Sequence, residues 1–176
     1  MDGSIESHPD EPSPDGQDRI TVISYGNPSR GDDAIGPLMF DRLQNAQTNG
    51  DIPSSVTLVT DFQLQVEHIL DFADANAVIF VDASLIDAAP FSVVRLVPRA
   101  DHTFSSHALS PQSLLAVYES VIGKPAPPAQ LLAVRAYDFD LGGDMSARAR
   151  KNLDLAERFL RRQLLAQSSA CRESTA

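Results

Sequence analysis

Asp32 and Asp33 stand side by side in the run Gly26-Asn27-Pro28-Ser29-Arg30-Gly31-Asp32-Asp33-Ala34-Ile35-Gly36-Pro37, between a β-rich segment and a helical one. Acidic residues at a helix mouth cap orphan N–H groups and complement the dipole. One cap uses one carboxylate, which leaves the second to point at a ligand. Three glycines and two prolines hold this turn in an unusual backbone path, which makes it a place to bind something. Asp82 closes the apolar run Val78-Ile79-Phe80-Val81. An Asx turn would account for it, yet an ionised group so close to a buried strand must be paired or solvated in a cleft. His107 sits in the loop Phe104-Ser105-Ser106-His107-Ala108-Leu109-Ser110-Pro111, just before a capped helix. Two carboxylates and one imidazole from three separate segments make an open site for a divalent transition metal, held weakly in the absence of a thiolate. Asp61 follows a strand, where a turn-forming Asp is the ordinary reading, and it stands at the same rim. His68 lies off the Val66/Ile69/Leu70 face of its segment and reads as exposed, while His8 and His102 fall in polar stretches.

The elements that must position these groups are legible as apolar runs at residues 20–26, 56–60, 77–84, 91–98 and 130–137. They are rich in Val, Ile, Leu and Phe on both faces, as suits a sheet covered on both sides. Helical spacing links Ile35 to Leu43, then Val66, Ile69, Leu70 and Ala73, then Leu114, Leu115, Tyr118, Val121 and Ile122, and last Leu153, Ala156, Leu160 and Leu164. Ser110-Pro111 reads as an N-cap with proline at the first helical position, and Gly123 as the matching C-terminal stop. The order β-α-β-α-β-β-α-β-α predicts an α/β fold, a three-layer α/β/α sandwich around a mostly parallel, roughly five-stranded sheet. Ligands of such sheets bind outside the carboxyl ends of the strands, where Asn27, Asp32, Asp33, Asp61, Asp82 and His107 are all expected.

The chain has 176 residues and a formal net charge of −10. Residues 1–18 hold three prolines and six carboxylates with no Lys or Arg, and read as a disordered acidic leader. Residues 19–166 are expected to form one domain, and 167–176 a flexible tail. Removing the six leader charges leaves about −4, with no basic cluster, which argues against a nucleic-acid partner. Cys171 is the one cysteine, so disulfides within the chain are excluded. No signal peptide or membrane span is evident, and a cytoplasmic location is expected. Gly-x-Ser-x-Gly, His-Glu-x-x-His, phosphate-loop and dinucleotide fingerprints are all missing.

In order and spacing, the Gly26 to Pro37 run, Phe80-Val81-Asp82-Ala83 and Ser105-Ser106-His107-Ala108-Leu109-Ser110 resemble the three signature segments of the [NiFe]-hydrogenase maturation proteases. The resemblance spans about residues 20–164. It implies a cytoplasmic endopeptidase that removes a C-terminal extension from the large-subunit precursor after nickel insertion, in an α/β/α sandwich. It further implies Asp33, Asp82 and His107 as the residues that contact nickel, the metal being supplied by the precursor. Asp33 or Asp82 is then a candidate base, and Asn27, Asp32 and Asp61 are candidate substrate contacts. Where many members have a Gly-rich turn after the second strand, this chain has Asp61-Phe62-Gln63-Leu64-Gln65. Two other readings stay open: a non-catalytic nickel checkpoint or carrier, and a peptidyl-tRNA hydrolase. The latter group shares the Gly-Asn-Pro turn but carries a Thr-x-x-His-Asn-type sequence where this chain has Gly31-Asp32-Asp33.

Overall fold

The apolar runs form five strands of a single sheet. The computed structural model describes residues 19–100 and 109–173, with side chains up to residue 167. The strands are β1 (Ile20–Tyr25), β2 (Val56–Asp61), β3 (Ala77–Ser84), β4 (Phe91–Leu96) and β5 (Ala129–Arg135), in the order β2-β1-β3-β5-β4. All neighbours are parallel except β4, which pairs antiparallel with β5 at one edge. The expected architecture is therefore present. The strand expected over 130–137 begins one residue earlier and stops at Arg135.

Helices α1 (Ile35–Thr48) and α3 (Ala147–Glu173) pack on one face, and α2 (Pro111–Ile122) on the other. Strand residues alternate between the two cores. Ile20, Val22, Ile79 and Val81 meet Met39, Leu43, Leu153 and Leu160, while Ile23, Val78 and Phe80 meet Phe72, Leu114 and Tyr118. On the second face the Phe72 and Tyr118 rings stack with centroids 5.2 Å apart. Full burial of a Leu, Ile or Phe side chain contributes about 1.5–3 kcal/mol, so these two layers carry most of the folding energy.

The ends of α2 match their sequence signals. Ser110 is extended at φ −77°, its side chain accepts from the Ser113 N–H, Pro111 opens the helix, and Gly123 closes it in the left-handed region at φ 74°. The segment 66–73 is not the α-helix expected: Val66–Leu70 is a single 3₁₀ turn followed by a further turn. Helix α3 continues to Glu173, so residues 167–173, assigned by composition to a tail, are helical. Among the described residues no helix is long and apolar enough to cross a membrane. The leader, residues 1–18, and His107 lie outside the described residues.

Candidate active site

From β1 the chain departs to β2 on one side and later returns to β3 on the other, so the β1/β3 junction is the topological switch point of the sheet. At such a junction the loops diverge in opposite directions and leave a crevice beyond the strand ends. Gly26 opens the turn there with φ +147°, and a Cβ at this position would sit 2.2 Å from the Asp33 carbonyl oxygen. Gly36, in the first turn of α1, lies so close to β1 that a Cβ would fall 2.1 Å from the Tyr25 carbonyl oxygen. These two glycines let the turn and the helix fold back onto the strand that precedes them.

The two adjacent aspartates have separate fates. Asp32 has no exposed surface. Its Oδ2 accepts from the Tyr137 N–H at 2.8 Å, the Asp138 N–H at 3.2 Å and the Ser146 hydroxyl at 2.9 Å, and its Oδ1 from the Ser146 N–H at 2.7 Å. Sealed and fully bonded, it has nothing to offer a substrate; the expectation that Asp32 contacts one gives way to a structural role, tying the first turn to the loop between β5 and α3. Asp33 is less enclosed, and its Oδ2 accepts the Asn27 N–H at 3.1 Å. Neither side chain caps the 3₁₀ turn Gly31–Ala34 or α1. Asn27 serves the turn as well, its Oδ1 accepting from the Ser29 N–H at 2.9 Å.

Asp82 lies near the carboxyl end of β3, its Oδ1 accepting from the Ala83 N–H at 2.8 Å. Burial pushes its carboxyl up to about 6; hydrogen bonds from Tyr25 and Ala83 oppose that rise, and the nearby charge of Asp33 adds to it. Tyr25 is a site residue that the sequence reading missed. Ser24 pairs with Val81 across β1 and β3, so the last residue of β1 comes beside Asp82, on the α2 face. Its phenol is held well above its ordinary value by burial, by the charge of Asp82 and by the hydrogen bond it donates there.

Asp61, at the end of β2, pairs in register with Tyr25. Its Oδ1 accepts from the Phe62 N–H at 2.6 Å and its Oδ2 from the Gln65 side chain at 3.2 Å. His68 is not exposed as expected but 7% accessible, with Nε2 3.5 Å from the Asp61 Oδ2. The Gln65 N–H donates to its Nδ1 at 2.9 Å, which leaves the imidazole proton on Nε2, facing Asp61. Strand alternation puts Asp61, Tyr25 and Asp82 on the same face of the sheet. Among the described residues no three His, Cys, Asp or Glu side chains come close enough together to hold a metal ion. Two carboxylates at the switch point, one of them protonating near neutrality, can exchange a proton with a bound reactant or donate oxygen to a cation.

No protein-family model matches the chain, and a search of curated proteins finds no relative. Solved structures do match. The [NiFe] hydrogenase maturation protease HycI from Thermococcus kodakarensis KOD1 superposes with a TM-score of 0.65 at 20% identity, over 85% of this chain and 94% of its own. The hydrogenase maturating endopeptidase HybD from E. coli gives 0.64 at 22% identity, over 89% and 93%. The hydrogenase 2 maturation peptidase from a Thaumarchaeota archaeon gives 0.59 at 21% identity, over 83% and 97%. The fold is that of the hydrogenase maturation proteases. In this chain Asp33, Tyr25 and Asp82 stand at the switch point, and Asp61 with His68 flanks them.

Proposed function

We propose that this chain is a hydrogenase maturation endopeptidase, which hydrolyses one peptide bond to remove the C-terminal extension of a nickel-loaded [NiFe]-hydrogenase large-subunit precursor. The observation that carries the reading is the pairing of Asp33 with Asp82 at the switch point, in a chain with the maturation-protease fold. The carboxyl of Asp82, raised to about 6, can take a proton from water near neutral pH and return it to the leaving amine. An ordinary surface aspartate would be too weak a base for this. Asp33 places a second acidic side chain beside it, its Oδ2 accepting the Asn27 N–H.

Nickel belongs to the substrate in this reading. It is already bound by thiolates of the precursor, and Asp33, Asp82 and His107 contribute hard oxygen and borderline nitrogen donors to its open positions. Nickel bound this way would fix the register of the scissile segment and polarise its carbonyl. Whether the attacking water is activated by the metal or by a carboxylate, Asp82 is needed.

The test is a processing assay with purified nickel-loaded precursor, read as the mass of the large subunit. The wild-type chain is expected to release the extension. Asp33→Asn and Asp82→Asn are each expected to lower the rate at least a hundredfold while leaving circular dichroism unchanged. A wild-type protein that binds the precursor without cutting it would point instead to a checkpoint or carrier.

A further inference from the structure

Besides Val66 and Leu70 of the 3₁₀ turn, four large apolar side chains stand in water on three loops that leave the same sheet edge as Asp33 and Asp82. Phe62, directly after β2, is 64% exposed; Leu85 and Ile86, directly after β3, are 46% and 92% exposed; Leu141, between β5 and α3, is 79% exposed. Single exposed hydrophobes are ordinary. These are notable because hydrogen bonds hold their loops in place. The Ser84 and Ser92 hydroxyls bracket the Asp87 carboxylate, and the Arg135 guanidinium donates to the carbonyls of Leu85 and Asp87. Leu141 rides a turn fixed by the Gly142 N–H on the Ser29 carbonyl at 2.7 Å, the Gly143 N–H on the Asp140 carbonyl and the Gly31 N–H on the Gly143 carbonyl. A loop pinned with its apolar side chain outward forgoes the chance to fold that side chain under.

Charge identifies the occupant. In the rim segments 26–33, 61–71, 82–90 and 136–146, every Asp, Glu, Lys or Arg except Arg30 is acidic; of the cations that reach in from the flanks, Arg135 is spent on the Leu85 and Asp87 carbonyls and Arg148 lies over the Tyr137 ring. Arg30 spends its Nε on the Phe139 carbonyl. A surface both apolar and anionic matches a polypeptide that presents apolar side chains among Lys or Arg.

We infer that Phe62, Leu85, Ile86 and Leu141, framed by Asp140 and Asp144, form the docking surface for the precursor segment that flanks the scissile bond, and that this segment is apolar and cationic. The inference rests on the processing function proposed above and adds the chemistry by which the protein partner is grasped. Apolar anchors would set residence time, and the acidic frame would speed encounter.

The experiment measures binding of purified nickel-loaded precursor to the full chain carrying Asp82→Asn, which prevents turnover. Adding Ile86→Ser and Leu141→Ser is expected to weaken binding about tenfold or more, with an unchanged melting temperature. Adding Val97→Ser and Val121→Ser, also exposed, at 69% and 62%, but away from this rim, is expected to change nothing. Asp140→Asn with Asp144→Asn should slow association and flatten its dependence on salt. If the Ile86/Leu141 variant binds as tightly as its parent, the docking surface is wrong and the processing function stands. If the wild-type chain neither binds nor cuts the precursor, both fall together.

Discussion

Asp82 ties stability to pH in a direction that can be measured. Its carboxyl is raised from the ordinary value of 3.8 to about 6, first by burial, so the folded chain holds this proton where the unfolded chain has released it. Between those values the folded state binds more protons, and stability from this group falls as pH rises; above about 6 the loss is complete and constant. At roughly 1.36 kcal/mol per pH unit, the ionised carboxylate costs about 1–3 kcal/mol at neutral pH. Asp82→Asn is therefore expected to be more stable than wild type at pH 7 to 8, with the difference shrinking toward zero near pH 4. Urea titrations of both proteins across that range check this. A variant that is less stable at pH 7 would make Asp82 a structural turn residue. Tyr25 works against the same burial, because its phenol hydrogen bond favours the charged carboxylate. Tyr25→Phe is expected to move the acid limb of the processing rate to higher pH, with kcat reduced more than KM. The special role of Tyr25 was not legible in the sequence, where it reads as one more residue of an apolar strand. It becomes visible only once parallel pairing sets the end of β1 beside the end of β3.

At the scale of elements, Asp32 joins the turn after β1 to the loop before α3 across more than a hundred residues of sequence. Every group around its carboxylate is a donor. Asn at this position would turn an NH₂ toward N–H groups, so Asp32→Asn is expected to cost about 2–4 kcal/mol in chemical denaturation, despite its matched shape. A change below about 0.5 kcal/mol, the range of a surface substitution, would refute that role. This division of labour between Asp32 and Asp33 could not be read from spacing, since it depends on loops far along the chain. Elements governed by their own residues were legible. Ser110-Pro111 and Gly123 bound α2 because caps and stops act within one turn. His68 misled the reading because a helical wheel was applied to a segment that makes only one 3₁₀ turn, after which its imidazole tucks under Gln65 beside Asp61.

For the whole molecule, the fold class was legible because apolar strand runs alternating with helical spacings call for a mostly parallel sheet covered on both faces; the strand order β2-β1-β3-β5-β4 was not. In the proposed function, the metal chemistry belongs to the assembled pair of this chain and its precursor. Asp33, in the 3₁₀ turn after β1, and Asp82, in β3, would supply the oxygen donors, and among the described residues no third His, Cys, Asp or Glu joins them closely enough to hold an ion. If His107 adds one nitrogen donor, as proposed above, the set stays incomplete without thiolates, so the free chain is expected to bind nickel weakly in calorimetric titration. The productive site then forms only on a precursor that already carries nickel. Nickel-free precursor is expected to resist cleavage, while nickel-loaded precursor should be processed even beside a chelator that strips only loosely held metal. His107→Ala should narrow the difference in rate between the two substrates, because in the proposed function it removes a contact made only to the metal. If wild-type protein cuts nickel-free and nickel-loaded precursor at the same rate, nickel is not the recognition anchor, and hydrolysis rests on Asp33 and Asp82 as an acid/base pair alone.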